Sequence, residues 1–600
     1  MGSPSDSADI GAGPAATGRE KALLVGFAAL LLVVSAGGPD LGRYMEWAQL
    51  AATHDFASVR TYTVSPLGVP VNMWSHGTGF MFASGHLLLD PFIDQRSSAF
   101  VTGWLASLVV WSALLRILWI ATSGSRSLVL FGAGVAFVGT HAGYYSHTHA
   151  SESLGMAFVS ALTWLVFEAE EPRVSHFVLA GVLAALLISV RSYLVLYAAA
   201  PLLVLTVRDW ARNRSPARVG GAAFVVAVPV AISVAQIGFV NRWMTGSLLR
   251  SPYTFGDEAF RSIDLADPEI LAVLVHPWHG WLVYHPLTVL GFAALAYMAV
   301  RGASREERLF WISSGLVIAA HLYIQASWVV WWLGQRTFGS RGMAPSSIIL
   351  VAAVVMALAA LRREHRQVFF FGVSVATAAS IWSFLLLMKG WTNYYEYRSV
   401  LIGQVDTIRA VADPVVALAL LGCLALVACA TTQAWQKGDA TDRFAGAIGC
   451  VLTSLALFYL LERAWRREPS VVADLLRGGL VATGVAIVLY HLATLVQTRW
   501  WSGRAGRGGS LDWLPALAAA ALFVTMSALF FGLAASVEGD IAAGRGPSRD
   551  YFFVNTFNIK EMQLGCHEYR HATQERFLDE RSAFRDFLIR QGYDAADITC

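Results

Sequence analysis

The sequence predicts an all-α polytopic membrane protein, and three observations carry that prediction. Hydrophobic residues make up 56% of the 600-residue chain and charged residues only 14%, against roughly 25% charged in a typical soluble domain. A soluble fold of this size needs more polar surface than that. Mean hydropathy is +0.53. Apolar runs near the ~20 residues that a bilayer requires recur along the chain, about fifteen in all. They centre near Val33, Val109, Val135, Leu162, Leu183, Leu202, Val230, Ala294, Ile318, Val354, Ala378, Leu420, Leu457, Val485 and Leu522.

The same composition excludes a disordered chain, a collagen-like fibre and a disulfide scaffold. The formal charge of +3 comes from scattered arginines, so no nucleic-acid surface is expected. Of the five cysteines, Cys423, Cys429 and Cys450 fall in apolar runs and read as small core residues. Cys566 and Cys600 lie in a polar tail and could pair if it faces an oxidising space.

The first span follows Gly18-Arg19-Glu20-Lys21 and has no small-x-small cleavage site leading to a soluble domain, so it reads as a retained helix. The runs on either side of Arg191 could be one kinked unit, and 79–89 a re-entrant or tilted helix. Lys/Arg bias sets the orientation. Positive loops carry Arg208, Arg212, Arg214 and Arg218; then Arg301, Arg305 and Arg308; then Arg362, Arg363 and Arg366; then Lys437 with Arg443; then Arg499, Arg504 and Arg507. These predict a cytoplasmic N-terminus and an extracytoplasmic tail. One segment, with Arg463, Arg466, Arg467 and Arg477, falls on the opposite side and conflicts with the bias. It is either interfacial or a sign that the span count is off there.

Long segments rich in aromatics, His and Pro occur on one side only, at 40–97, 141–152, 242–280, 331–342 and 389–412. Their convergence predicts a site at the outer membrane-water boundary. Asp40, directly after the first span, reads either as a helix N-cap or as a general base whose pKa is raised by poor solvation. His147, His149 and Glu152 read either as divalent-cation ligands or as polar loop residues, with Ser151 capping a helix and Glu152 in its first turn. Tyr253, Trp278 and Tyr284 suit an interfacial belt or a groove for a sugar or polyprenyl chain. In Trp331-Trp332-Leu-Gly334-Gln-Arg336-Thr-Phe-Gly339-Ser-Arg341-Gly342, the arginines read as a lipid-phosphate clamp with glycines allowing close approach of a ligand, or as snorkelling side chains. The segment from Lys389 to Arg398 either covers the site or forms another aromatic belt. Arg191 is expected at the outer interface, against phosphate or Asp40.

Taken together and in order, these segments resemble the GT-C superfamily of membrane glycosyltransferases, in particular the bacterial branch similar to protein O-mannosyltransferases and the lipid A aminoarabinose transferase. The matching features are Asp40 with Tyr44, the turn from His147 to Glu152, and the run Leu179–Pro201 with Arg191. They continue with Asn241-Arg242 then Gly246-Ser247 and Tyr253, the entry Gly280–Pro286, and the run Trp331–Arg341. The resemblance covers roughly residues 20–400. It departs from the pattern at Leu41, where a second acid is usual, and at His285, where a small polar residue is commoner; residues 413–600 match nothing.

The resemblance implies a GT-C-like bundle of about 13–15 transmembrane helices with external loop helices and a small C-terminal tail. It divides the chain into a disordered cytoplasmic 1–20, a catalytic module 21–400, additional spans 401–537 and an extracytoplasmic tail 538–600, within a bacterial inner membrane. It implies inverting transfer from a polyprenyl-phosphate sugar to an acceptor not specified by the sequence. Asp40 is then the base, and Arg336 and Arg341, with Arg191 as a third, hold the donor phosphate. Glu152 orients the acceptor or a cation. Tyr44, Tyr253, Trp278, Tyr284, Trp331 and Trp332 line the substrate groove. No cofactor is assigned, and a divalent cation (Mg or Mn) at His147, His149 and Glu152 is one reading. The competing classes are a transporter or flippase of a lipid-linked saccharide, and a polysaccharide polymerase or ligase. The first needs ionisable groups at mid-span depth; few are seen.

Overall fold

The computed structural model describes residues 26–32, 36–37, 63–64, 70–71, 77–79, 81–82, 95–251, 263–275, 280–328, 338–389 and 440–465. Its body is helical. In chain order the helices are α1 (Gln95–Ala121), α2 (Arg126–Gly139), α3 (His141–Tyr145), α4 (Ser151–Glu168), α5 (Val174–Val190), α6 (Leu196–Asn213), α7 (Pro216–Thr245) and α8 (Ile270–Val275). They continue with α9 (Trp281–Tyr284), α10 (Leu287–Arg301), α11 (Arg305–Ser327), α12 (Ser346–Glu364), α13 (Arg366–Lys389) and α14 (Ala440–Trp465). Every predicted centre from Val109 to Ala378, and Leu457, lies inside one of these helices. Among the described residues six helical stretches are long and apolar enough to cross a membrane: Phe100–Ala121, Ser192–Asn213, Pro216–Arg242, Arg305–Ser327, Ser346–Glu364 and Arg366–Leu387. Shorter apolar helices accompany them at Arg126–Gly139, Val174–Val190, Leu287–Arg301 and Phe444–Leu457.

The boundaries follow from capping chemistry. Ser125 precedes α2 and its hydroxyl accepts from the Leu128 amide; Thr140 does the same for α3 through the Ala142 amide. Ser215 caps α7, with Pro216 at the first helical position. At α4 the N-cap is Ala150, not Ser151. Ser153 supplies the reciprocal half of a capping box, its hydroxyl accepting from the Ala150 amide at 3.3 Å. Arg191 resolves the kinked-unit question: α5 ends at that residue in extended backbone, and a 3₁₀ turn (Ser192–Val195) leads into α6.

Ion pairs and hydrogen bonds distinguish the two ends of the bundle. At one end Arg116 pairs with Glu168 at 2.9 Å, Arg208 donates to the Val166 and Ala169 carbonyls, and Arg212 pairs with Glu171 at 2.6 Å. Asp442 joins there, bonded to Ser125 and to Arg362. At the other end α3, the 3₁₀ turn, α9 and the start of α12 gather. The helix α14 runs from the first end to the second, since Tyr459 near its far end bonds His147 at 3.0 Å. Position 463 lies one turn beyond Tyr459 on the same helix, and the rest of the Arg463–Arg477 segment beyond Trp465 lies outside the described residues.

Two short strand pairings complete the described fold. β1 (Ala36–Gly37) pairs in parallel with β4 (Thr148–His149), Gly37 facing His149; β2 (Thr63–Val64) pairs antiparallel with β3 (Pro70–Val71). The apolar core runs through α1, α2, α4, α12 and α13, around Phe131, Leu162, Val351 and Phe369. In contrast, α7 turns Phe224 and Phe239, each 69% exposed, away from the bundle. An apolar outer face on a spanning helix has lipid as its natural solvent.

Candidate active site

The site is built where three helix ends meet. Glu152 sits in the first turn of α4, where a helix N-terminus favours a carboxylate. Arg191 stands at the break after α5, and Arg341 lies in a 3₁₀ turn (Arg341–Met343) before α12. Glu152 Oε1 is 2.7 Å from Arg191 Nη2 and 3.8 Å from Arg341 Nε. Ser151 donates to Glu152 Oε2 at 3.1 Å and accepts from Arg191 Nη2 at 2.9 Å. Arg191 Nη1 donates to the Tyr193 hydroxyl at 2.9 Å. The Glu152 side chain is 2% exposed, Arg341 8% and Arg191 15%. Charges this buried persist only when paired and hydrogen-bonded, and removing one partner of such a pair costs about 3–5 kcal/mol.

Backbone geometry delivers Arg341. Gly339 has φ 66°, and a Cβ there would lie 2.9 Å from the Tyr284 Cβ. A Cβ on Gly342 would lie 2.1 Å from the Gln325 side-chain oxygen. The glycines expected to admit a ligand therefore admit the protein's own side chains, and the tight turn points the following arginine at Glu152. Tyr284, expected in the groove, is buried with its ring 5.5 Å from that of Phe338.

A polar layer lies beneath this turn. The rings of His141 and His285 are 3.9 Å apart. His141 Nδ1 meets Ser347 Oγ at 3.1 Å, and His285 Nδ1 donates to the Gly139 carbonyl at 3.4 Å. Burial holds His285 down to about 3. Burial likewise holds His141 well below the usual imidazole range, so both rings are neutral. Beside them is Tyr145, fully buried, whose hydroxyl has no hydrogen-bond partner among the described residues. Burial and the neighbouring Glu152 charge push its ionisation well above the ordinary phenol range, opposed by Arg341 and Arg191.

The expected cation trio is not assembled. His147 Nδ1 donates to the Gly143 carbonyl at 3.0 Å, which leaves Nε2 to accept from Tyr459. His149 packs against α1, beside Phe100 and under Gly103, and Glu152 is turned to the arginines. Among the described residues no group of three or more His, Cys, Asp or Glu is arranged for a metal ion.

Of the other candidates, Asp40, Tyr44, Tyr253, Trp278, Trp331, Trp332 and Arg336 lie outside the described residues, as do Cys566 and Cys600. Gly37, three residues before Asp40, is paired to His149 at the site end. Sequence reasoning did not single out Tyr145, Tyr193 or Tyr459. Tyr145 carries a signal in its position seven residues before Glu152, whereas Tyr459, 312 residues from His147, carries none.

Fold and site together define a multi-pass helical membrane protein with a buried arginine-carboxylate cluster at one end of its bundle. No family model matches the chain, and no curated protein matches it. Among solved structures it is similar to ArnT from Cupriavidus metallidurans bound to undecaprenyl phosphate, at 14% identity over 75% of this chain and 79% of that one, with a TM-score of 0.45. The apo state of the same protein is similar at 14% identity over 73% of this chain and 76% of that one, with a TM-score of 0.42.

Proposed function

We propose that this protein is a GT-C-type glycosyltransferase. It moves a sugar from a polyprenyl-phosphate donor to an acceptor hydroxyl at the extracytoplasmic face of a bacterial inner membrane. The observation that carries the reading is the meeting of Glu152, Arg191 and Arg341 at one end of the bundle. These are residues of three separate segments that the ordered GT-C-like motifs single out. A planar guanidinium fork suits a phosphate that must stay bound as its charge grows. The pairing of Gly37 with His149 brings the chain to that end shortly before Asp40.

In the proposed reaction Asp40 takes the proton of the acceptor hydroxyl as its oxygen attacks the anomeric carbon from the side opposite the lipid phosphate. The configuration inverts. The leaving phosphate is already a good leaving group, so the arginines neutralise its charge and no acid is needed. Glu152, its oxygens engaged by Arg191 and Ser151, orients the guanidinium and does not act as a second base.

The test uses the purified full chain with a radiolabelled polyprenyl-phosphate sugar and membrane extract. Labelled product is expected, and Asp40→Asn should abolish it while leaving the thermal unfolding profile unchanged. Transfer that survives Asp40→Asn defeats the assignment of the base.

A further inference from the structure

The inference rests on the transferase reading and concerns a residue at its phosphate end. Helix α3 reaches both sides of the cluster. Its His141 lies ring to ring against His285 at 3.9 Å, beside the Gly339 whose turn delivers Arg341. One helical turn on, the Tyr145 carbonyl accepts from Ser153 Oγ at 3.0 Å, and Ser153 directly follows Glu152 in α4. The Tyr145 side chain therefore stands among Glu152, Arg191 and Arg341 and feels all three charges.

Its ring is wholly enclosed, and its hydroxyl has no hydrogen-bond partner among the described residues. A buried hydroxyl left unpaired is destabilising, and native proteins rarely leave one so. The neighbouring carboxylate does not relieve it, because Glu152 Oε1 accepts from Arg191 and Oε2 from Ser151. Burial, and then the Glu152 charge, push the phenol's ionisation well above its ordinary range. The hydroxyl therefore keeps its proton and stays a donor.

Transfer forms the bond from the acceptor oxygen to sugar C1 and breaks the bond from C1 to the phosphate oxygen. The acceptor's proton passes to Asp40, and the electron pair of the broken bond stays on that phosphate oxygen. Negative charge gathers there, so the oxygen becomes a stronger acceptor as the bond breaks. We propose that Tyr145 is a further catalytic residue, whose hydroxyl donates a hydrogen bond to the leaving phosphate oxygen while the arginines neutralise its charge. The phenol gives up no proton, and the lipid phosphate leaves as an anion. Tyr145 is enclosed as Glu152 and Arg341 are, at 2% and 8% exposed, so the path that brings a donor to the arginines brings it to the hydroxyl.

The experiment compares the wild type with Tyr145→Phe, each as the full chain in nanodiscs. It measures thermal unfolding, transfer from a radiolabelled polyprenyl-phosphate sugar with membrane extract, and binding of the sugar-free polyprenyl phosphate. The substitution removes one oxygen and keeps the ring. Because that oxygen makes no hydrogen bond among the described residues, the unfolding midpoint is expected to hold or rise. The turnover number is expected to fall about tenfold to a hundredfold, and the affinity for the sugar-free lipid phosphate about tenfold. A midpoint that drops together with activity, outright misfolding included, shows a structural role and overturns the assignment. Transfer at the wild-type rate, the result if the hydroxyl merely holds a water, overturns it too. So does an unmoved affinity for the sugar-free lipid, the result if the hydroxyl meets the sugar instead. Each of these leaves the transferase reading standing, whereas a wild type that transfers no sugar overturns both.

Discussion

His285 shows how a residue's surroundings override its ordinary chemistry. Free histidine titrates near 6.5, whereas burial holds His285 at about 3, with backbone hydrogen bonds to Gly139 and Phe338 opposing the shift only in part. Between those values the unfolded chain binds a proton that the folded chain refuses. Folding stability therefore rises with pH across that window and is lost as pH falls below about 6.5. Each refused proton contributes about 1.4 kcal/mol per pH unit, and His141, shifted the same way, adds to it. Thermal unfolding in detergent between pH 7 and 5 should show the wild-type midpoint falling and His285→Gln falling less steeply. A wild-type midpoint that does not move over that range contradicts the buried neutral pair. At this scale the sequence was informative about identity and silent about contact. Glu152, Arg191 and Arg341 stand out because charges beside apolar runs are costly. That Glu152 meets an arginine 39 positions away depends on how α4 and α5 pack.

At the scale of elements the tightest union is α2 with α14. Both are short on bulk along one side: a Cβ on Gly449 would sit 2.6 Å from the Phe131 nitrogen, and one on Gly134 2.7 Å from the Leu452 Cβ. Small residues let helix backbones approach closely in a membrane, where packing rather than water drives association. Gly449→Val must push α14 off α2, at a cost of about 1–3 kcal/mol for overpacking. The same shift draws Tyr459 away from His147. Thermal unfolding of Gly449→Val should show a lower midpoint. The added loss from Tyr459→Phe should be smaller in that background than in the wild type, because the bond is already weakened. Full additivity of the two losses would show that α14 does not hold Tyr459 in place. Helix extents were readable from hydropathy, since a bilayer demands a set length. Which glycine faces which neighbour was not, because a glycine in an apolar run looks the same on any side.

The whole molecule is polarised. Arg116, Arg212 and Arg362 gather at one end with their acidic partners, and Arg208 with the carbonyls it donates to, while the buried Glu152 cluster lies at the other. The orientation expected from the Lys/Arg bias would put the arginine-rich end in the cytoplasm. Single cysteines placed at the exposed positions Arg214 and Leu249, in a background without native cysteines, test it in intact cells. A membrane-impermeant maleimide should label the cysteine at 249 and spare the one at 214 until the membrane is opened. Labelling at 214 alone would invert the orientation and place the cluster on the wrong side for an extracytoplasmic donor. The helix α14 lies well beyond the 20–400 span that the motifs cover. It nevertheless packs on α2 and meets the site, so this part of the later spans belongs to the same body.

Membership in the membrane, the positions of the helices and the identity of the charged residues beside them were determined by the sequence alone. Each follows from the price of putting a polar group in hydrocarbon, a property of the residue and its immediate neighbours. Tertiary structure decided the rest: that Glu152 faces two guanidiniums instead of a cation, that His147 and His149 point to different partners, and that Tyr459 closes over His147. Those outcomes depend on which helix faces touch. Packing settles that through shape and close approach between segments far apart in the chain, and no local pattern of polarity encodes it.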